Sequence, residues 1–200
     1  MKLYCATTNP GKLREFRLAA ERFGGGIEIE ALPGLERIEP PEEHGETFEE
    51  NAIAKAVYYS RYAPGLLFAD DSGLEVDALG GAPGVRSARY AGPGATDEEN
   101  NRLLIERLRG VEDRTARFVC VVALAERGRL VRTFRGTVEG RVLEAPRGEN
   151  GFGYDPLFYY PPFGCTLAEV SGEKKLSVSH RGKALEAMLA WLAEQRAQAG

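Results

Sequence analysis

Two acids stand side by side in "FADDSG", residues 68–73, directly after an apolar run. Adjacent carboxylates such as Asp70 and Asp71 at the end of a buried strand repel and raise each other's pKa unless a proton or a cation relieves them. Magnesium would give that relief, taking hard oxygen ligands from the protein on one side and from a phosphorylated substrate on the other. Glu42, Glu43 and Glu46 in the acidic loop "EPPEEHGE" offer further carboxylates. The plainer account is an Asx turn into Gly73, although one turn rarely needs two buried acids.

Cations and donors for such a substrate occur at both ends of the chain. In "ATTNPGKLREF", residues 6–16, Gly11-Lys12 stands as in a Walker A loop, but Ala6 replaces the first glycine and Leu13 the hydroxyl that would hold magnesium. A helix starting here offers free N–H groups and a positive dipole end, Lys12 adds a full charge, and Thr7, Thr8 and Asn9 add donors, so a triphosphate is a sensible guest. The same residues also suit an ordinary strand-to-helix turn, with Asn9 or Thr8 as N-cap and Pro10 opening the helix.

In "GFGYDPLF", residues 151–158, Gly151 and Gly153 leave Phe152 projecting from a thinly covered backbone. Such a ring can stack on a planar base, with Tyr154 and Asp155 to anchor it, or simply return to the core. In "EKKLSVSHRGKAL", residues 173–185, Ser179 can cap the last helix with His180 and Arg181 in its first turn. An Arg set against the helix dipole suggests an anionic or acceptor-rich ligand. Lys55 and Lys175 are further cations, each also readable as solvated surface.

The elements that must position these residues follow from periodicity. "KLYCAT" is a strand, Leu13, Phe16, Ala20 and Phe23 recur at helical spacing, "GGG" stops that helix, and "IEIEAL" alternates as a strand. Thr47 and Glu50 form a capping box for a helix burying Phe48, Ala52, Ala56 and Tyr59 and ending near Pro64. "LLFAD" is a strand that ends at the paired acids, and "LEVDAL" resumes extended structure before the long loop "GGAPGVRSARYAGPGA". Thr96 and Glu99 open a helix through Leu108, and "ARFVCVVALA" and "LVRTFRGTVEG" form a hairpin with Gly128 in its turn. A loop then leads to a helix from Ser179 to Gln195 with Ala184, Met188 and Trp191 inside. Strand-helix-strand units followed by a hairpin predict an α/β fold with a mixed sheet and a ligand cleft at the strand ends.

A chain of 200 residues suits one domain. With 43% hydrophobic and 28% charged residues and a net charge of −4, it reads as a soluble, cytoplasmic protein without the basic surface a nucleic-acid polymer requires. The longest apolar runs fall well short of a membrane span. Cys5, Cys120 and Cys165 are too scattered for a zinc site or disulfide framework, and two histidines cannot build a His-rich metal cluster.

Taken in order, "TTNPGK", "TFEENAIAKA", "ADDSGLEVDALGGAPGVRSARYAG", "GFGYDPLF" and "SHRGKAL" resemble the inosine triphosphate pyrophosphatase family, also called XTP/dITP diphosphatases. The resemblance spans nearly the whole chain. It implies a twisted mixed sheet flanked by helices, in two lobes around a central nucleotide cleft, and a magnesium-dependent homodimer that cleaves non-standard purine nucleoside triphosphates to the monophosphate and pyrophosphate. Carried over by position, Thr7, Thr8, Asn9, Pro10, Gly11 and Lys12 match the triphosphate loop and Lys55 a phosphate-contacting lysine. Asp71 matches the general base and magnesium ligand, Ser72 a substrate contact, and Glu43, beside Glu42, the second metal carboxylate. Phe152, Gly153, Tyr154 and Asp155 match the base-binding segment, and Lys175, His180 and Arg181 match substrate contacts. Glu173-Lys174-Lys175 stands where the family often has Glu-Lys-Asn. By the same analogy Arg89 and Tyr90 lie near a dimer interface. Other readings of the residues are a P-loop NTPase cleaving at the γ-phosphate, a non-catalytic nucleotide sensor, and a pyrophosphatase of the same fold acting on modified pyrimidine nucleotides.

Overall fold

A computed structural model describes residues 1–200. Strand β1 (Lys2–Cys5) lies between β2 (Glu28–Ala31) and β3 (Leu67–Val76), parallel to both. From β3 onward each neighbour is antiparallel, through β4 (Thr115–Glu126), β5 (Arg129–Val142), β6 (Phe158–Tyr160) and β7 (Cys165–Thr166). The result is one mixed seven-stranded sheet in the order β2-β1-β3-β4-β5-β6-β7. The helical crossover after β1 sets β2 parallel to it, the 77–114 connection returns β4 antiparallel to β3 although it too carries a helix, and the two-residue turn Arg127-Gly128, with φ of 50° and 79°, folds β5 directly back on β4.

Alternation along the strands divides the core. Phe68, Cys120, Val122 and Leu124 face helices α1 (Pro10–Phe23) and α5 (His180–Ala199) and the short α4 (Gly172–Leu176), where Phe16, Ala19, Leu176, Ala184, Leu185 and Met188 meet them. Leu67, Ala69, Val119, Val121 and Ala123 point the other way, onto Phe48, Ala52, Ala56 and Tyr59 of α2 (Phe48–Ser60). The far halves of β3 to β5 carry a third cluster, in which Leu74, Val76, Phe118 and Val138 pack with Leu104 and Leu108 from α3 (Asp97–Arg107) and its C-cap and with Phe158 and Leu167. This third cluster forms the second lobe.

Several details depart from the sequence expectations. β3 runs unbroken from Leu67 to Val76, so Asp70 and Asp71 lie inside a strand and not at its end. Gly73 marks close backbone approach here: an added Cβ would run into Ser87 Oγ and the Gly84 carbonyl oxygen, while the Leu74 N–H donates to Ser87 Oγ at 2.9 Å. β6, β7 and α4 occupy the stretch expected as loop, because each is too short to show a period. Thr47 caps α2, but the Glu50 carboxylate accepts from the Glu46 N–H and not from Thr47 itself. Thr96 and Glu99 do form the full reciprocal box. α5 continues past Gln195 to Ala199, and Trp191 is half-buried beside Phe134 and Arg132. No helix is long and apolar enough to cross a membrane.

Gly136 sets how closely α5 approaches the sheet. A Cβ there would collide with the His180 carbonyl oxygen and stand 2.8 Å from the Ala184 amide nitrogen, both backbone atoms that cannot swing aside. Gly136→Ala should therefore cost about 1–3 kcal/mol, seen as a lower urea midpoint. An unchanged midpoint would show that α5 can shift without penalty.

Candidate functional site

The loop between β1 and α1 is organised by Asn9. Its side chain caps α1, accepting the N–H groups of Gly11 at 2.9 Å and Lys12 at 3.2 Å, with Pro10 in the first turn, and Thr7 Oγ1 accepts the Asn9 N–H at 3.1 Å. Two amides expected to face an anion are thus taken by Asn9. Gly11 serves packing: an added Cβ would stand 2.6 Å from the Phe152 ring. Lys12 keeps the expected direction into the cleft, its ammonium 3.1 Å from Asp70 Oδ1.

Because β3 is continuous, successive residues face opposite sides of the sheet. Asp70 turns toward α1 and α5, where Lys12 and, at 3.4 Å, Arg181 contact it. Burial alone would raise its pKa, but Lys12, Arg181 and Lys55 hold the carboxyl far below the ordinary range. Asp71 turns toward α2, accepting from Asn51 Nδ2 at 3.2 Å with Lys55 Nζ at 3.5 Å. Burial raises the Asp71 pKa, Glu43 and Asp70 add to the rise, and Lys55 and Lys12 oppose it. The two acids do not share one site. One is neutralised inside the protein and the other keeps raised basicity in the cleft.

Lys55 Nζ also lies 3.0 Å from Glu43, whose other oxygen is 3.5 Å from Arg89. Glu42 points into solvent and meets His44, so Glu43 is the acid turned toward Asp71. Lys55, pulled upward by Asp71, Asp70 and Glu43 against the opposing effect of burial, remains charged.

Behind Lys12 lies a buried ion network. Lys175 Nζ stands 2.7 Å from Glu15 and 2.5 Å from Asp155, and Arg181 Nη1 stands 2.8 Å from Glu15, so that this glutamate joins both cations. A solvated surface does not describe Lys175, which is 3% exposed. Arg181 also donates to Ser72 Oγ at 2.7 Å. Three of its five N–H groups are committed to Asp70, Glu15 and Ser72, which leaves two for a ligand.

Asn9, Lys12, Ser72, Phe152, His180 and Arg181 line one cavity, with Ser87, Ala88, Asp97 and Asn100 opposite. The His180 ring stacks on Phe118 at 4.7 Å, and its Nδ1 is buried without a hydrogen-bond partner. Burial, with Arg181, Lys175 and Lys12 nearby, holds its pKa well below the ordinary value, so the imidazole is neutral. Phe152 borders the cavity with Lys175 Nζ 4.7 Å from its ring centre. Gly153, Tyr154, Asp155 and Lys175 line the cavity as well, and two of them also brace it: the tyrosine hydroxyl donates to the Ser87 carbonyl at 2.6 Å, and the Asp155 carboxylate accepts the Phe152 N–H at 3.0 Å. The Asp71, Lys55 and Glu43 group lies outside this cavity's lining. Lys12 acts electrostatically on both Asp71 and Glu43 and so links the two halves.

Thr8 and Pro10 do not border the cavity, and Thr7 reaches it only through Asn9. Glu15 and Asn51 are not among the residues the sequence singles out. Each is a polar residue within the buried stripe of its helix, next to Phe16 and Ala52, which is the signal that marks them.

Burial would raise the Glu15 pKa, but Arg181 and Lys175 outweigh it and hold the carboxyl below its ordinary value. Glu15→Gln leaves two buried cations short of an anion and should cost about 3 kcal/mol at neutral pH. A depressed folded pKa means that the stabilisation is complete above the unfolded value of about 4.3 and is lost as pH falls through the folded value. The difference in urea midpoint between wild type and Glu15→Gln should hold steady down to about pH 5 and close on further acidification. A difference independent of pH would show that Glu15 is not ionised in the folded chain.

Comparison with known proteins extends the resemblance to the whole molecule. The Ham1 family model matches residues 3–191. A dITP/XTP pyrophosphatase of Acidobacterium capsulatum is 53% identical over 201 residues, spanning 96% of this chain and 98% of its own. One from Thermus thermophilus is 53% identical over 192 residues, spanning 94% of this chain and 90% of its own. The solved structure of the Staphylococcus aureus Ham1 protein matches with a TM-score of 0.85 at 39% identity, covering 98% of this chain and all of that one. Agreement from end to end in both sequence and fold assigns the chain to the Ham1 family.

Proposed function

We propose that the protein hydrolyses the non-standard purine nucleoside triphosphates ITP, dITP and XTP to the monophosphate and pyrophosphate, clearing them from the nucleotide pool. One observation carries the reading: an aromatic cavity containing a neutral, unpartnered imidazole is joined through Lys12 to a buried, basic carboxylate flanked by a second lysine. The activity named for the relatives above agrees with this arrangement. A homodimer working in the cytoplasm completes the reading, on the family resemblance alone.

The base lies along the Phe152 ring with its O6 edge toward His180 and Arg181. With its proton on Nε2, the ring nitrogen that burial does not seal off, His180 donates to O6 of hypoxanthine or xanthine. Adenine presents an amine at that position, and two facing donors leave a buried N–H unpaired, which costs binding. Lys12 and Lys55 neutralise the phosphates. Asp71 orients water toward the α-phosphorus, in line with the departing pyrophosphate, and accepts its proton.

The donors suit magnesium held as it commonly is, by one or two carboxylates together with substrate phosphates. Glu43 and Asp71 face a common ammonium and would hold it, while no cluster of three His, Cys, Asp or Glu side chains provides an all-protein cage. Bound there, the ion would supply charge neutralisation to the triphosphate.

A pyrophosphate-release assay over a nucleotide panel, with and without magnesium, tests the reading. ITP, dITP and XTP should turn over only with magnesium, and Asp71→Asn should lose about 10²- to 10⁴-fold in kcat. Release of orthophosphate, preference for modified pyrimidine triphosphates, or binding without turnover would each overturn it. His180→Ala should reduce the ITP-to-ATP ratio of kcat/KM about tenfold or more. An unchanged ratio would remove His180 from base recognition.

A further inference from the structure

The ring that borders the base cavity stands between two glycines, Gly151 and Gly153. Gly151 and Gly153 both adopt positive φ, of 71° and 62°, and both the N–H and the carbonyl of Gly153 are engaged. Those groups are met by α3. The Asp97 carboxylate accepts the Gly153 N–H at 2.9 Å, and Asn101 Nδ2, one helical turn on, donates to the Gly153 carbonyl at 3.1 Å. Asn101 Oδ1 is buried without a partner, so Gly153 alone fixes the orientation of that amide.

We infer that Asp97 and Asn101 form a clamp on Gly153 that positions Phe152 for the purine base, and that they are specificity-supporting residues which do not take part in the chemistry. The inference rests on the purine triphosphate reading above. Three elements hold the loop. Asp155, paired with Lys175, accepts the Phe152 amide; Tyr154 reaches Ser87; and α3 alone grips the residue directly after the ring. Asp97 is exposed at the rim of the cavity and belongs to no apolar cluster, so core packing gives no reason for an acid there. An acid in the first turn of a helix is ordinarily accounted for by the dipole alone. That account predicts an effect on stability and none on the base. The clamp predicts the reverse, because a charge-assisted bond to the Gly153 N–H restrains the one peptide directly after the ring, where glycine has no side chain to hold it.

In Asp97→Ala the KM for ITP should rise about tenfold, with kcat changed by less than about twofold. The inhibition constant of inorganic tripolyphosphate, which engages the cations without presenting a base, should stay as in wild type. Asp97→Asn, whose Oδ1 still accepts from Gly153, should restore most of the lost KM. An unchanged KM in Asp97→Ala, or equal rises for ITP and tripolyphosphate, overturns the clamp. Amide exchange of a peptide spanning residues 151–155 requires no turnover: faster exchange in Asp97→Ala and Asn101→Ala supports the clamp, and wild-type rates in both overturn it. If wild type itself releases no pyrophosphate from ITP, the functional reading fails and exchange still decides the clamp.

Discussion

Lys175 and Arg181 are buried cations, and a desolvated charge must find its counter-charge where it lies. Glu15 comes to them from α1, Asp70 from β3 and Asp155 from the glycine-rich loop. With Lys12 on Asp70, the network holds three acids and three bases, which leaves little net charge in the interior. This requirement brings α1, α4, α5, the middle of the sheet and the 151–155 loop to one point, and the cavity opens directly above it. Apolar packing explains why each helix lies on the sheet. The ion network explains their registration against one another.

The paired acids show how one strand serves two purposes. Asp70 is held ionised by Lys12 and Arg181 and completes the network, while Asp71 is raised by burial, Glu43 and Asp70. Environments that push two neighbouring carboxylates apart separate a structural acid from a reactive one. Asn51 and Lys55, both from α2, hold the reactive acid, so each face of the sheet supplies its own helix to its own aspartate. Gly11 adds a steric link between the halves of the cleft, since its bare Cα receives the Phe152 ring and couples the phosphate end to the base end.

Local signals are legible in the sequence wherever local forces decide. The Thr96–Glu99 box, the Arg127-Gly128 turn and the apolar stripes of α1, α2 and α5 are interactions between residues close in sequence. The short turn sets β4 and β5 antiparallel, whereas the antiparallel β3–β4 pair is joined through a helix and has no such local signal. Glu15 cannot be read in this way, because the cations that permit its burial lie 160 and 166 residues away. Asn9 shows the limit of a motif: the residues of an anion loop are present, but its own side chain takes the amides. Glu42 and Glu43 are chemically identical, and only the path of the loop turns one of them inward. Gly73 reads as an end to β3 when it is a point of close approach, and that single misreading places Asp70 and Asp71 together.

The uninterrupted pairing of β3 with β4 runs from Leu67 to Val76 without a bulge. Such a strand keeps count in twos. One residue added or removed between Leu67 and Asp70 would exchange the two acids between faces, delivering the reactive carboxylate to Arg181 and the structural one to Lys55. Composition would hardly change, and both charges would still find partners. The parity of this segment is therefore inherited information in its own right, carried by length as well as by residue identity.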